Sequence, residues 1–259
     1  MPERLTYGSY LCIDDLLALQ KQRSNPPHHD EMLFIVVHQV YELWFKQVLH
    51  EVDAAIRHLG ADDPLRTTRA LGRVRAIQRV LEEQVDVLET MTPHEFNEFR
   101  ALLNPASGFQ SAQFRELEFA CGVGKTGYLR HLEQNDAERA RLERRLASPT
   151  LYDALKSFLA RRGYETSTPD ELIETFRTIY DGAEQHVDLY LLLEAFIEFD
   201  ERFLLWRGRH VRMVERMIGG KPGTGGSMGV RYLQTTLEKR FFPELWEVRT
   251  VLGEGVPAP

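Results

Sequence analysis

Two histidines, His38 and His210, lie in apolar helical stretches of the sequence. Trp206, Met213 and Met217 fall on the same helical face as His210. An imidazole on an apolar face costs free energy unless its nitrogens are hydrogen bonded or bound to a metal. Haem iron would satisfy such a nitrogen, and the three neighbours of His210 would then line the cofactor. A core histidine bonded to a backbone carbonyl is the alternative, and spacing alone favours it.

Arginines surround the second histidine without sharing its apolar face. Guanidinium groups that flank an iron ligand could bind the carboxylates of the haem propionates. The arginines in question are Arg207, Arg209, Arg212 and Arg216.

Phe96 and Arg100 are four residues apart, so they share one face of a helix. An arginine beside an aromatic ring suits a ligand that carries both a carboxylate and an indole. A surface arginine paired with Glu95 or Glu98 is the alternative interpretation of the same spacing.

The glycine-rich segment 219–226 reads GGKPGTGG and resembles a phosphate loop only in composition. Its Lys221 precedes proline, and the GK[ST] triplet of such loops is missing. We predict a mobile active-site loop over 219–229, with the hydroxyl of Thr224 able to contact a substrate. A plain linker between helices is the alternative.

Other potential metal ligands are interpreted structurally. The four residues 28–31, His-His-Asp-Glu, would point in different directions on a helix, so we interpret them as a helix start. Cys12 and Cys121 form no zinc spacing and are interpreted as reduced thiols.

The elements that position these residues are predicted to be helices. Apolar residues recur at three- and four-residue steps, while strand-like alternation is almost absent. Thr92-Pro93-His94-Glu95 is a helix start with a capping residue and proline at the first helical position. Further helices are predicted over 31–59, 64–91, 109–121, 136–146, 150–162, 169–218 (one helix or two nearly collinear ones) and 230–239.

Composition limits the class of protein. The chain has 259 residues, a net charge of −7, 43% hydrophobic and 27% charged residues, values ordinary for a soluble globular protein. A negative charge argues against nucleic acid as a partner. The N-terminus lacks an apolar signal core, and no run reaches the ~18 apolar residues of a membrane span. These features predict a cytoplasmic protein without a membrane partner, folded as one domain over residues 1–259.

Several segments together resemble the tryptophan 2,3-dioxygenase family. They are HDEMLFIVVHQ followed by ELW, the FRALLNPASGFQS block, LWRGRH, and PGTGGS followed by FFPELWEVR. Each is weak alone, but their number and order over nearly the whole chain are specific. The resemblance implies an all-α helical bundle that encloses haem b and assembles as a homotetramer.

The resemblance also implies roles for individual residues. His210 would be the proximal iron ligand, and His38 would lie beside dioxygen and the indole nitrogen. Arg100 would bind the substrate carboxylate, and Thr224 its ammonium or carboxylate. The pocket would be lined by Phe34, Phe96, Leu103 and Ser107. The N-terminal arm, residues 1–20, would contact a neighbouring subunit, whose site Tyr7 and Tyr10 would reach.

The implied reaction is cleavage of the indole C2–C3 bond of L-tryptophan by O2, to give N-formylkynurenine. His38 would position the indole rather than act as an obligatory base. Gly208, Gly220 and Met228 depart from the family pattern and leave substrate identity open. The alternatives are a family member that acts on a substituted tryptophan, even as a monooxygenase, a haem-binding sensor or carrier, and a cofactor-free helical interaction protein.

Overall fold

The computed structural model describes residues 4–124, 128–129, 135–225 and 228–253. Within these ranges the regular elements are helices and no strand occurs, which confirms the predicted all-α class. The α-helices are α1 Tyr7–Leu11, α2 Ile13–Leu17, α3 His29–Gly60, α4 Pro64–Leu88, α5 Pro93–Arg100, α6 Ala112–Ala120, α7 Asp136–Leu146, α8 Leu151–Arg161, α9 Pro169–Asp181, α10 Val187–Ile218, α11 Val230–Gln234 and α12 Pro243–Val251.

Helix α4 packs against both α3 and α10, and these three long helices form the centre of the domain. Their apolar residues recur at helical spacing, so each helix turns a continuous stripe inward. Fully buried side chains in this core include Val52 of α3, Val74 of α4 and Phe199 of α10. Within the described residues, no helix is both long enough and apolar enough to cross a membrane.

The predicted helix starts are confirmed, with one shift. Thr92 caps α5 and forms a capping box with Glu95. Helix α3 begins at His29, and its cap is His28, whose ring accepts a hydrogen bond from the Asp30 amide at 3.2 Å. Among the described residues, no group of three or more histidines, cysteines or acids could hold a metal ion.

Two predicted helical stretches contain more than one element. The stretch 169–218, predicted as one helix or two nearly collinear ones, forms two helices, α9 and α10, separated by a short turn around Gly182. The stretch 109–121 begins as a 3-10 turn, Gly108–Gln110, before Ser111 caps α6 by accepting from the Phe114 amide. At Ser111 the hydroxyl cap starts α6 directly after the 3-10 turn, and this outweighs the apolar periodicity. Helix α10 begins after His186 without a side-chain cap.

The C-terminal part differs most from expectation. Helix α11 covers five residues instead of the predicted ten, and α12 was not predicted. The carboxylate of Asp200, fully buried on α10, accepts hydrogen bonds from the amides of Phe241 and Phe242 and from the indole of Trp246. A buried acid far away in sequence therefore organises this segment.

Candidate active site

One cavity of about 320 Å³ lies between α3, α5, α6 and α10, and segments on both sides of the glycine-rich loop close it. Its size is in the range of small-molecule sites. Its lining includes predicted site residues from every part of the chain except the N-terminal arm: Phe34, His38, Phe96, Arg100, Ser107, Trp206, His210, Met213, Met217 and Thr224.

His38 projects into this cavity from α3. Its Nδ1 lies 2.7 Å from the carbonyl oxygen of Phe34, one turn earlier. A carbonyl can only accept, so Nδ1 carries the proton and Nε2 of the neutral ring is an acceptor. The Phe34 ring lies 4.0 Å from the imidazole, between centroids, and holds it in place.

His210 projects into the same cavity from α10. The indole of Trp206, one turn earlier, stacks on it with centroids 5.4 Å apart and an interplanar angle of 15°. Among the described residues, no hydrogen-bond partner for the His210 imidazole is found. Burial, and to a smaller extent the charge that His38 can carry, lower the pKa of His210 to about 4.

Both imidazoles are therefore neutral near pH 7. Burial also lowers the pKa of His38, against the opposing effects of the Phe34 carbonyl and the Glu42 carboxylate. Both histidines line the same cavity. A neutral nitrogen is the form of histidine that binds a metal ion.

These residues fit a haem. A half-buried neutral imidazole next to an apolar cavity, with no hydrogen-bond partner among the described residues, could bind haem iron. Met213 and Met217 extend the apolar wall on the same helix face as His210. His38 lines the same cavity and has Nε2 as an acceptor for a bound ligand.

The glycine-rich loop is docked onto the segment that follows α5. Arg100 Nη2 donates to the carbonyl of Pro222 at 2.5 Å, and the Thr224 hydroxyl donates to the carbonyl of Ala106 at 2.6 Å. The two polar groups predicted to contact substrate thus meet at one edge of the cavity, each bonded to a backbone oxygen. A ligand carboxylate could replace either oxygen as acceptor.

Gly225 allows the loop to lie close to the segment that contains Pro105 and Ser107. A Cβ built at this position would lie 2.6 Å from the Cβ of Ser107 and 3.3 Å from the carbonyl oxygen of Pro105. Only glycine allows this docking without a shift of the backbone. Residues 226 and 227, which belong to the predicted mobile loop, lie outside the described residues.

Several predicted residues do not line the cavity. Leu103 packs against the hydrophobic cluster beside it. Tyr7 and Tyr10 lie on α1 with 78% and 71% of their surface exposed, remote from the cavity of their own chain. Of the four arginines around His210, only Arg207 lines the cavity. Arg209 instead pairs with Asp86, because it points toward α4.

Other cavity residues were not identified from the sequence. Tyr41 and Glu42 follow His38 on α3, and burial raises the pKa of Tyr41 to about 12. Ser111, Arg115 and Glu118 line the cavity from one face of α6. Their spacing of four and three residues is a helical signal, but their position beside the site depends on how α6 packs.

Comparison with known proteins identifies close relatives. The family described as Tryptophan 2,3-dioxygenase matches residues 2–170 and 172–252. A protein of that name from a Nocardioides species is 50% identical over 254 residues, which cover 96% of this chain and 95% of the relative. Proteins of the same name from Myxococcus xanthus and Herpetosiphon aurantiacus are each 47% identical, covering 98% and 97% of this chain and 92% and 100% of their own.

Proposed function

The chain belongs to the tryptophan 2,3-dioxygenase family, and on that premise we propose that it is a haem enzyme that cleaves the indole C2–C3 bond of L-tryptophan with O2. The product is N-formylkynurenine. The observation that carries this proposal is the shared cavity of His38 and His210, with Arg100 and Thr224 at its edge. Homotetrameric assembly and a cytoplasmic location stay predictions.

His210 would hold the iron of haem b through an imidazole nitrogen. Its low pKa keeps that nitrogen unprotonated at neutral pH. The stacked Trp206 ring fixes the plane of the imidazole, with Met213 and Met217 on the same wall. When bound, haem supplies the oxygen chemistry, and the protein supplies binding, orientation and the exclusion of water.

Arg100 binds the carboxylate of the amino acid. Its guanidinium now donates to the Pro222 carbonyl, and a carboxylate offers two charged oxygens to the same donors. Thr224 adds a hydroxyl from the docked loop, which bonds the ammonium or carboxylate of the substrate. The Phe34 and Phe96 rings, stacked at 5.6 Å, form the apolar wall for the indole.

His38 orients the indole. The proton on its Nδ1 is held by the Phe34 carbonyl, so Nε2 accepts a hydrogen bond from the indole N–H. An indole N–H is a donor only, and a neutral imidazole is too weak a base to remove its proton outright. We therefore assign His38 a positioning role, which directs the indole C2–C3 bond toward the reacting oxygen.

Labelled oxygen tests this proposal against its nearest alternative. The haem-loaded protein is mixed with L-tryptophan under 18O2, and the product is analysed by mass spectrometry. We expect two label atoms in each molecule of product. One label atom, or turnover only with a substituted tryptophan, would favour the secondary-metabolism alternative. Haem binding without turnover of either substrate would favour a sensor or carrier.

A further inference from the structure

A buried carboxylate fixes the start of α3 to the segment that precedes it. Glu31 is 1% exposed, and it accepts hydrogen bonds from the Arg23 amide at 2.6 Å and the Ser24 amide at 3.0 Å. The Ser24 hydroxyl donates to Glu31 and accepts from the His28 amide at 2.7 Å. The His28 carbonyl accepts from the side chain of Gln22 at 2.5 Å. The backbone of His28 is therefore held through both its amide and its carbonyl.

The side chain of His28 extends from this base to α5. Its Nδ1 accepts a hydrogen bond from the Asp30 amide at 3.2 Å, so the proton of the neutral ring lies on Nε2. Nε2 lies 2.8 Å from Oε2 of Glu98 and donates to it. The imidazole also packs against the ring of Phe99, with centroids 5.3 Å apart. One ring nitrogen thus caps α3, and the other binds a side chain of α5.

Phe99 connects this contact to the wall of the cavity. It is fully buried, and its ring centroid lies 5.8 Å from that of Phe34 on α3 and 5.5 Å from that of Phe96 on α5. Phe34 and Phe96 line the cavity, whereas His28 and Phe99 lie behind them. The position of α5 relative to α3 therefore sets the relative position of the two rings that form the apolar wall.

We propose that His28 and Glu98 are positioning residues that determine indole specificity, because they hold α5 in place against α3. The inference rests on the proposed function, which takes Phe34 and Phe96 as the surface that the indole contacts. A closely packed wall disfavours an indole with an additional ring substituent, since overpacking costs free energy. Without the contact between His28 and Glu98, α5 moves away from α3 more easily, and the wall accommodates a larger ring.

The experiment compares the affinities of the haem-loaded protein for L-tryptophan and 5-methyl-L-tryptophan, measured by isothermal titration calorimetry without oxygen. We expect the wild type to prefer L-tryptophan by about tenfold or more, as one methyl group in a packed pocket allows. In Glu98→Ala and His28→Asn the preference should fall below about threefold. Asparagine keeps the cap of α3 but is too short to reach α5. A general loss of stability would not change the ratio of the two affinities.

Glu98→Gln and His94→Gln are the matched controls. The glutamine side chain still offers an oxygen to Nε2 of His28, so Glu98→Gln should keep the preference for L-tryptophan. His94 lies 3.3 Å from the same carboxylate, but it belongs to α5 and its side chain is 88% exposed. His94→Gln removes no contact with α3 and should keep the preference as well. Loss of the preference in His94→Gln would contradict the role assigned to the contact between the two helices.

An unchanged preference in Glu98→Ala would overturn the inference and leave a purely structural contact. A wild type that binds both amino acids equally would overturn it as well. If His28→Asn does not fold by circular dichroism, Glu98→Ala decides, because the side chain of Glu98 is 49% exposed.

Turnover with oxygen separates this inference from the proposed function. Selective binding that is lost in Glu98→Ala, without turnover by the wild type, would leave the specificity role standing and refute the dioxygenase function. Turnover of L-tryptophan with an unchanged preference in Glu98→Ala would do the reverse. A wild type that binds neither amino acid would refute both.

Discussion

Two regions of the cavity differ in chemistry: one contains two imidazoles, and the other, at its edge, contains a guanidinium. Burial lowers the pKa of both imidazoles, while the Arg100 guanidinium lies at the edge and donates to the Pro222 carbonyl. The histidines could be found from the sequence because each interrupts an apolar helical stripe. Arg115 could not be found, since the rings of Phe109 and Tyr128 that frame it come from outside its helix.

Arg100→Gln is predicted to weaken tryptophan binding selectively. Removing one partner of a desolvated charge pair costs about 2–5 kcal/mol, so kcat/KM for L-tryptophan should fall by about 30-fold or more. Binding of tryptamine, which has no carboxylate, should change little. Arg212→Gln, an exposed position on α10, is the control and should leave both unchanged. An equal loss for tryptophan and tryptamine would contradict the carboxylate role.

The stability of the apoprotein is predicted to depend on pH through His210. Burial lowers the pKa of this residue to about 4, while the unfolded chain regains the ordinary value near 6.5. Between these values the unfolded chain binds more protons, so the free energy of unfolding falls as the pH is lowered. Urea unfolding at pH 7 and pH 5 should show that the free energy of unfolding decreases less for His210→Gln than for the wild type. Identical losses would show that His210 is protonated normally in the folded state.

At the scale of elements, α10 carries the proximal face of the cavity and contains one unexpected glycine. A Cβ at Gly208 would meet nothing within 4 Å. Gly208→Ala should therefore stabilise the protein by about 1 kcal/mol, because alanine favours the helix and no packing is lost. Thermal unfolding of the apoprotein measures this effect. A decrease in stability would mean that the glycine is needed for the shape of the helix.

In the docked loop, substitution of Gly225 is expected to be harmful, in contrast to substitution of Gly208. Gly225→Ala would place a Cβ against Ser107 and force the loop away from the segment after α5. We expect KM for L-tryptophan to rise about tenfold, since Thr224 moves with the loop, while haem affinity stays unchanged. Steady-state kinetics and a haemin titration separate the two effects. Unchanged kinetics would show that loop docking is not needed for substrate binding.

Helices α3, α4, α5, α7 and α8 could be predicted because apolar spacing and caps are local signals. Helix α12 could not, since its start depends on hydrogen bonds from Phe241, Phe242 and Trp246 to Asp200, some forty residues earlier. The edge of the site at Arg100 and Thr224 likewise depends on contact between distant loops.

At the scale of the whole molecule, the N-terminal arm exposes apolar residues that a single chain does not cover. Tyr7, Tyr10 and Leu17 expose 70–78% of their surface, and neither α1 nor α2 buries a residue. Exposed apolar side chains of this kind indicate an interface. We expect deletion of residues 1–20 to lower the assembly state in sedimentation velocity and to reduce kcat/KM. A tetramer of unchanged activity after deletion would contradict the predicted contact with a neighbouring site.

The most direct test of the central claim is the absorption spectrum of the ferrous protein, recorded with and without L-tryptophan and again after oxygen is added. We predict a Soret band that shifts on tryptophan binding, followed by the near-ultraviolet absorption of N-formylkynurenine. A His210→Gln variant should lose the iron ligand and its characteristic spectrum. Absence of a Soret band in the wild type after reconstitution with haemin would contradict the claim and return His38 and His210 to the role of core histidines.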